Sequence, residues 1–312
     1  MSDEVNATTF QLKSPDGVDV FVRKWVPTGS APQAVVLVIH GAAEHSARYD
    51  RLARILAGQG YAVYAPDHRG HGQTAANLEN AGWAGPEGWS GILNDIHQLA
   101  GQATSENPGL PVFILGHSMG SFLTQNYIEL YGNELAGVIL TGSTGALAGA
   151  DQMLPFLQGA ATADARQPSA AFAQMFVGFN APFTPKTGFE WLSRDEAEVQ
   201  KYVDDPWSGF GFSNQLVYDM FNGMLEMWKP ENEARVPKDL PILIASGSHD
   251  PVGGENSEGV KALADRYRAQ GIKDVELVLY PEARHEILNE TNRDEVHGLI
   301  TGWLAKHLPV KA

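Results

Sequence analysis

VFILGHSMG, Val112–Gly120, is the stretch whose reading decides the architecture. Val112–Leu115 is a continuous apolar run, the pattern of a strand buried on both faces. Gly116-His117-Ser118-Met119-Gly120 then matches G-x-S-x-G, and the residues from Ser118 to Tyr131 read as a helix. The five-residue pattern alone carries little weight, since a chain this rich in Gly and Ser would contain it by chance about 0.2 times. Its flanks supply the weight. A sharp turn between a buried strand and a helix exposes the serine Oγ, and small neighbours let helix and strand approach closely. The helix N-terminus adds a field favourable to developing negative charge. The ordinary alternative is a strand-to-helix turn in which Ser118 is only an N-cap.

Outward from this turn, strands and helices alternate. Thr8–Ser14 and Val18–Val26, separated by Pro15-Asp16-Gly17, read as an antiparallel hairpin. Ala34–Ile39 (AVVLVI) is a second continuous apolar run, and Tyr49, Leu52, Ile55 and Leu56 behind it have helical spacing. YAVYAPD is a further strand, and Trp89, Ile92, Ile96 and Leu99 mark one face of the helix before LPVFILG. LAGVILTGS, LPILIASG and KDVELVLY complete the strands, with helices from about 257 to 270 and 291 to 308. The pattern predicts a mostly parallel, doubly wound, eight-stranded α/β sheet with an antiparallel N-terminal hairpin.

The alternation fails between 144 and 230, where short helical patterns are punctuated by Gly and Pro. That stretch holds fourteen of the 29 aromatics and five of the seven methionines. Short helices need something to bury, but an adaptable Met-rich and aromatic wall also suits a cap over an apolar substrate. Residues 1–143 and 231–312 are therefore expected to form one core, with a helical cap between. Phe179, Trp207, Phe212 and Met224 are the cap residues expected to contact substrate.

A serine hydroxyl is a poor nucleophile until a neighbouring base takes its proton. Among ten histidines, His285 follows the strand ending at Tyr280 on the short loop Pro281–Arg284. Asp250 occupies the equivalent loop after the preceding strand, in Gly247-Ser248-His249-Asp250-Pro251. Loops after the carboxyl ends of parallel strands face one crevice, so Ser118, Asp250 and His285 are expected to meet there as nucleophile, orienter and base. Read blandly, His285 is a surface-loop histidine and Asp250 makes an Asx turn. His249 and Glu255 are the nearest competitors, while His68, His71 and His117 read as structural. Acyl transfer also needs amides aimed at an oxyanion. Met119, following the nucleophile, and Ala42, in His40-Gly41-Ala42-Ala43, are the expected donors.

The bulk composition bounds the function. With 22 Lys+Arg against 37 Asp+Glu the net charge is −15, which disfavours nucleic acid and anionic membrane surfaces. No cysteine is present, so disulfides, thiolate metal sites and cysteine nucleophiles are excluded. The polar start MSDEVNATTF does not read as a signal peptide, and no apolar run is long enough for stable membrane insertion. A cytoplasmic location is the expectation, with no cofactor and no metal.

HGAAEHSARY (40–49), PDHRGHGQT (66–74), GHSMG (116–120), LSRDEAEVQKYVDDPW (192–207), GSHDPVG (247–253) and RHEILNE (284–290) together resemble the monoacylglycerol lipase/lysophospholipase-like branch of the α/β-hydrolase superfamily. The resemblance runs from about residue 8 to 308. It implies that fold with a lid at about 144–230, the triad Ser118, Asp250 and His285, and oxyanion donors at Ala42 and Met119. Arg194, Tyr202 and Asp205-Pro206 share the branch pattern without any catalytic role that follows from their chemistry. The expected activity is hydrolysis of a carboxylic ester with an apolar group, such as a monoacylglycerol or lysophospholipid. Amide or peptide hydrolysis, thioester hydrolysis and acyl transfer on the same triad are the chemical alternatives. A silent binder of an apolar ligand is the non-enzymatic one.

Overall fold

Residues 5–145, 147 and 149–309 are described by a computed structural model. Its strands are β1 (Val5–Lys13), β2 (Asp19–Pro27), β3 (Ala34–Ile39), β4 (Tyr61–Pro66), β5 (Val112–His117), β6 (Gly137–Thr141), β7 (Ile242–Gly247) and β8 (Val275–Tyr280). The core helices are α1 (Asp50–Gly58), α2 (Gly88–Glu106) and α3 (Met119–Tyr131). Then come α4 (Ala150–Ala163), α5 (Ala170–Asn180), α6 (Glu196–Asp204), α7 (Asn214–Met227) and α8 (Pro230–Glu233), and the core resumes with α9 (Glu258–Ala269) and α10 (Arg293–Lys306).

One sheet results, in the order β1-β2-β4-β3-β5-β6-β7-β8. β1 and β2 pair antiparallel, β2 pairs antiparallel with β4, and every other neighbour is parallel. The mostly parallel eight-stranded sheet with its antiparallel N-terminal hairpin is thus as the alternation predicts. The continuous apolar runs have a direct cause in the two-faced burial. In β3, Val35, Leu37 and Ile39 enter one core with α2, α3 and α9, while Ala34, Val36 and Val38 enter the other with α1 and α10. The residues between β6 and β7 form α4–α8, and their ends rejoin strands that pair directly, Leu140 opposite Ile244.

The chain reverses its winding at β3. β4 lies on one side of it and β5 on the other, with Ile39 opposite Gly116 at their carboxyl ends. Such a switch point leaves a crevice between two loops that diverge. Here the crevice is closed from below by glycines. A Cβ on Gly120 would lie 2.0 Å from the Ile39 carbonyl oxygen, and one on Gly116 would lie 2.4 Å from the Gly120 oxygen and from Thr124 Oγ1. The N-terminus of α3 can sit against the end of β3 only because these side chains are missing. Among the described residues no helix is long and apolar enough to cross a membrane.

The contact at Gly120 is between backbones, so a methyl there cannot be relieved by a side-chain rotation. Gly120→Ala is expected to lower unfolding stability by about 3 kcal/mol, the upper end of ordinary overpacking costs. Urea denaturation checks this, and an unchanged midpoint would contradict the packing.

Candidate active site

Ser118 stands between β5 and α3 at φ 54° and ψ −123°, a region that costs an L-residue on the order of 1–3 kcal/mol. Its N–H donates to the Thr141 carbonyl on β6 at 2.9 Å, which helps hold the turn. Met119 is the first residue of α3, so its N–H has no partner four residues back within the helix. The loop after β3 packs directly alongside, since a Cβ on Gly41 would lie 2.9 Å from Ser118 Cβ. In that loop Gly41 N–H donates to Glu44 Oε1 at 2.6 Å and Ala43 N–H to His71 Nε2 at 3.3 Å. Ala42 N–H has no hydrogen-bond partner among the described residues.

Asp250 and His285 meet from the loops after β7 and β8. His285 Nδ1–H donates to Asp250 Oδ1 at 2.9 Å, and both side chains are buried. The same carboxylate oxygen accepts Val252 N–H at 2.9 Å. The Asx turn and the histidine contact are therefore one arrangement, in which the backbone fixes the carboxylate before it orients the ring. His249 and Glu255, the competitors, are both exposed, whereas Asp250 and His285 are buried and paired with each other. Burial alone would lower the His285 pKa, but the charge and hydrogen bond of Asp250, with Glu286 and Glu44 further off, outweigh it and raise it.

His117 is buried, with Nδ1 3.1 Å from Thr141 Oγ1 and its ring 4.7 Å from that of His285. Burial, and then the neighbouring His285, hold its pKa at about 4. His68 and His71 are likewise pushed down, to about 3 and about 4, chiefly by burial. Neutral rings suit their contacts: His71 Nδ1–H donates to Arg69 O at 3.0 Å and leaves Nε2 to accept from Ala43.

Three residues that the sequence reading passed over form the charged floor. Arg48 reaches Glu286 through both terminal nitrogens, at 2.6 and 2.7 Å, and Glu44 at 2.6 Å. Glu286 is fully buried, which would raise its pKa, yet Arg48 draws it down to about 2. The triplet joins the loop after β3 to the residue beside His285. A carboxylate adjoining the histidine, and Glu44 four residues before Arg48, were the available signals.

Gly41, Ala42, Ser118, Met119 and His285 line a single cavity, roofed by residues of the insertion. Phe179 and Met224 are on its wall, together with Met175, Phe176, Trp191 and Phe221. Phe212 lies elsewhere. Fully buried, it stacks on Phe172 at 4.1 Å and meets His71 edge-on at 5.2 Å, packing the insertion onto the core. Trp207 is half-buried outside the cavity lining, on the turn where its N–H donates to Asp205 Oδ1 at 2.9 Å. Both aromatics were chosen from composition, which does not separate a wall from a packing layer. The group among the described residues with ligand atoms close enough to share a cation is Asp274, Glu276 and His307 at the β8–α10 edge, where Lys306 already pairs with Glu276.

Residues 30–292 match the family model described as serine aminopeptidase, S33, and the chain belongs to this family of α/β-hydrolases. It is a lipase- and esterase-like serine hydrolase. A monoacylglycerol lipase of Mycolicibacterium smegmatis is 29% identical over 297 residues, covering 94% of this chain and 95% of that one. The human monoglyceride lipase is 31% identical over 288 residues, covering 89% and 84%. A thermostable carboxyl esterase from Bacillus coagulans, solved in complex with glycerol, superposes with a TM-score of 0.89 at 30% identity. That match covers 97% of this chain and 99% of the esterase.

Because Asp250 outweighs burial, the His285 imidazolium is expected to persist above the ordinary histidine value of about 6.5. Asp250→Asn leaves the burial and removes the charge, so the pKa should then fall below that value. Titration of the His285 ring by NMR checks both. A wild-type ring already neutral at pH 6 would contradict this account of the pair.

Proposed function

We propose that this protein hydrolyses carboxylic esters bearing an apolar acyl group, a monoacylglycerol being the substrate type favoured. The observation that carries the reading is His285, paired with Asp250 at 2.9 Å, in the wall of the same cavity as Ser118, itself held in a strained turn. In this reading Ser118 Oγ attacks the acyl carbonyl while His285 Nε2 takes its proton. Asp250 fixes the imidazole tautomer and stabilises the imidazolium that forms. The carbonyl oxygen becomes an oxyanion facing the Ala42 and Met119 amides. His285 returns the proton to the departing alcohol, and water then clears the acyl-enzyme by the same path. The substrate preference draws support from the apolar cavity wall and from the monoacylglycerol and monoglyceride lipases at 29–31% identity. The insertion acts as the cap over this acyl site.

Ser118→Ala is expected to lower kcat on p-nitrophenyl butyrate by at least about 10⁴-fold with the fold intact; retained turnover would sink the assignment. His285 must be neutral to act as base, so kcat/KM should fall as pH drops through a pKa above about 6.5. His117, titrating at about 4, lies too low to confuse that limb. Decanoyl esters should exceed acetyl esters in kcat/KM by at least about tenfold, since each buried methylene adds binding energy. Equal rates would remove the apolar-acyl reading. The matched decanoyl amide, run alongside, tests the peptidase description of the family: faster amide than ester turnover would replace the ester reading.

A further inference from the structure

The stretch Leu192–Trp207 carries Tyr202 and Asp205, which the sequence marks but which the reaction above leaves unused. Both are tied to the loop after β3. Tyr202 Oη–H donates to the Ala43 carbonyl at 2.9 Å, and Gly209 N–H donates to the same oxygen at 2.9 Å. Asp205 Oδ2 accepts from His45 Nε2 at 2.6 Å. Ala43 is fully buried and has φ 52°, a conformation an L-residue leaves unless its surroundings hold it. Its amide is held as well, by His71 Nε2 at 3.3 Å. Ala43 directly follows Ala42, which lines the cavity and whose amide has no hydrogen-bond partner among the described residues.

Tyr202 is itself well anchored. It is 2% exposed on α6, and the Arg48 guanidinium lies 4.8 Å from its ring centroid. Glu198, one turn earlier on α6, pairs with Arg51 at 2.6 Å. Cap and oxyanion loop thus meet through a hydroxyl whose ring already packs on the charged floor of the site.

Resting on the ester-hydrolase reading above, we propose that Tyr202, seconded by the Asp205–His45 pair, is a positioning residue. It holds Ala43 in its strained conformation and so keeps the Ala42 amide aimed at the oxyanion. The cap then does more than shape the substrate pocket, because the donor geometry is complete only while this part of it is docked. A ground-state ester carbonyl gains little from that amide, whereas the tetrahedral oxyanion gains much.

Tyr202→Phe keeps the ring against Arg48 and leaves Gly209 on the Ala43 carbonyl. It is expected to lower kcat on p-nitrophenyl butyrate about tenfold, less than the loss of a whole oxyanion donor, with KM within about twofold. An alkyl trifluoromethyl ketone, which adds to the serine and leaves an oxyanion, should lose affinity by the same factor. The matching secondary alcohol, which forms none, should bind as before. Ala43→Gly placed in the Tyr202→Phe background should recover kcat to within about threefold of wild type, because glycine keeps a positive φ unaided. A role confined to general stability would produce no such rescue. Unchanged kcat in Tyr202→Phe, equal losses for ketone and alcohol, or no recovery in the double variant would each overturn the proposal. Should Tyr202→Phe fail to fold, Asp205→Asn serves: a roughly threefold kcat loss with the same ketone signature supports the proposal, and unaltered kcat overturns it. Turnover that survives Ser118→Ala would instead remove the ester-hydrolase reading itself. Ser118-dependent turnover that ignores Tyr202 removes only this inference.

Discussion

The absence of two side chains, at Gly116 and Gly120, is the constraint on which the rest of the structure depends. It lets the backbone of α3 touch the carbonyl at the end of β3, with only 2.0 Å available for a Cβ at residue 120. That contact turns the switch point between β3 and β5 from a gap into a pocket floor. Between the two glycines Ser118 takes a positive φ, and Gly41 lies against it, a Cβ there falling 2.9 Å from the serine Cβ. The strain at Ser118 persists because two central parallel strands and a helix over-determine the turn.

Charge is arranged around this floor in two buried groups with different consequences. Asp250 and His285 form a pair in which the carboxylate is already satisfied by backbone, so the ring has one orientation available. Glu44, Arg48 and Glu286 form a second group, closed upon itself by a bidentate contact. Removing any one member of such a buried group leaves an unpaired charge, a penalty of roughly 3–5 kcal/mol that is far larger than the net worth of the pairing. The second group links the loop that carries Ala42 to the loop that carries His285. Further ties from the insertion reach the same two loops: Trp191 O and Leu192 O accept the His285 and Glu286 amides at 3.2 and 2.7 Å, and Tyr202 Oη–H donates to the Ala43 carbonyl at 2.9 Å. The stretch from about 190 to 209 is thus structurally part of the floor of the candidate site, although in sequence it belongs to the interruption of the α/β pattern.

The fold was legible wherever burial imposes a period. AVVLVI spans β3 as observed, and the helix faces read from Trp89, Ile92, Ile96 and Leu99 are the buried face of α2. Ser118, Asp250 and His285 were legible because each sits at the end of a recognisable strand. The cavity wall was legible only in composition. Phe179 and Met224 face the cavity while Phe212 and Trp207 do not, because helix packing inside the insertion decides which aromatics turn inward. Glu44, Arg48 and Glu286 escaped notice for another reason. Their partners lie up to 238 residues away, and a charge in a loop looks the same in sequence whether solvated or buried.

A crystal structure of the enzyme phosphonylated by an alkyl fluorophosphonate tests the central claim most directly. Phosphorus is expected on Ser118 Oγ, with its oxygen about 2.7–3.1 Å from both the Ala42 and Met119 nitrogens. An adduct on any other residue, or an oxygen turned away from both amides, would contradict it.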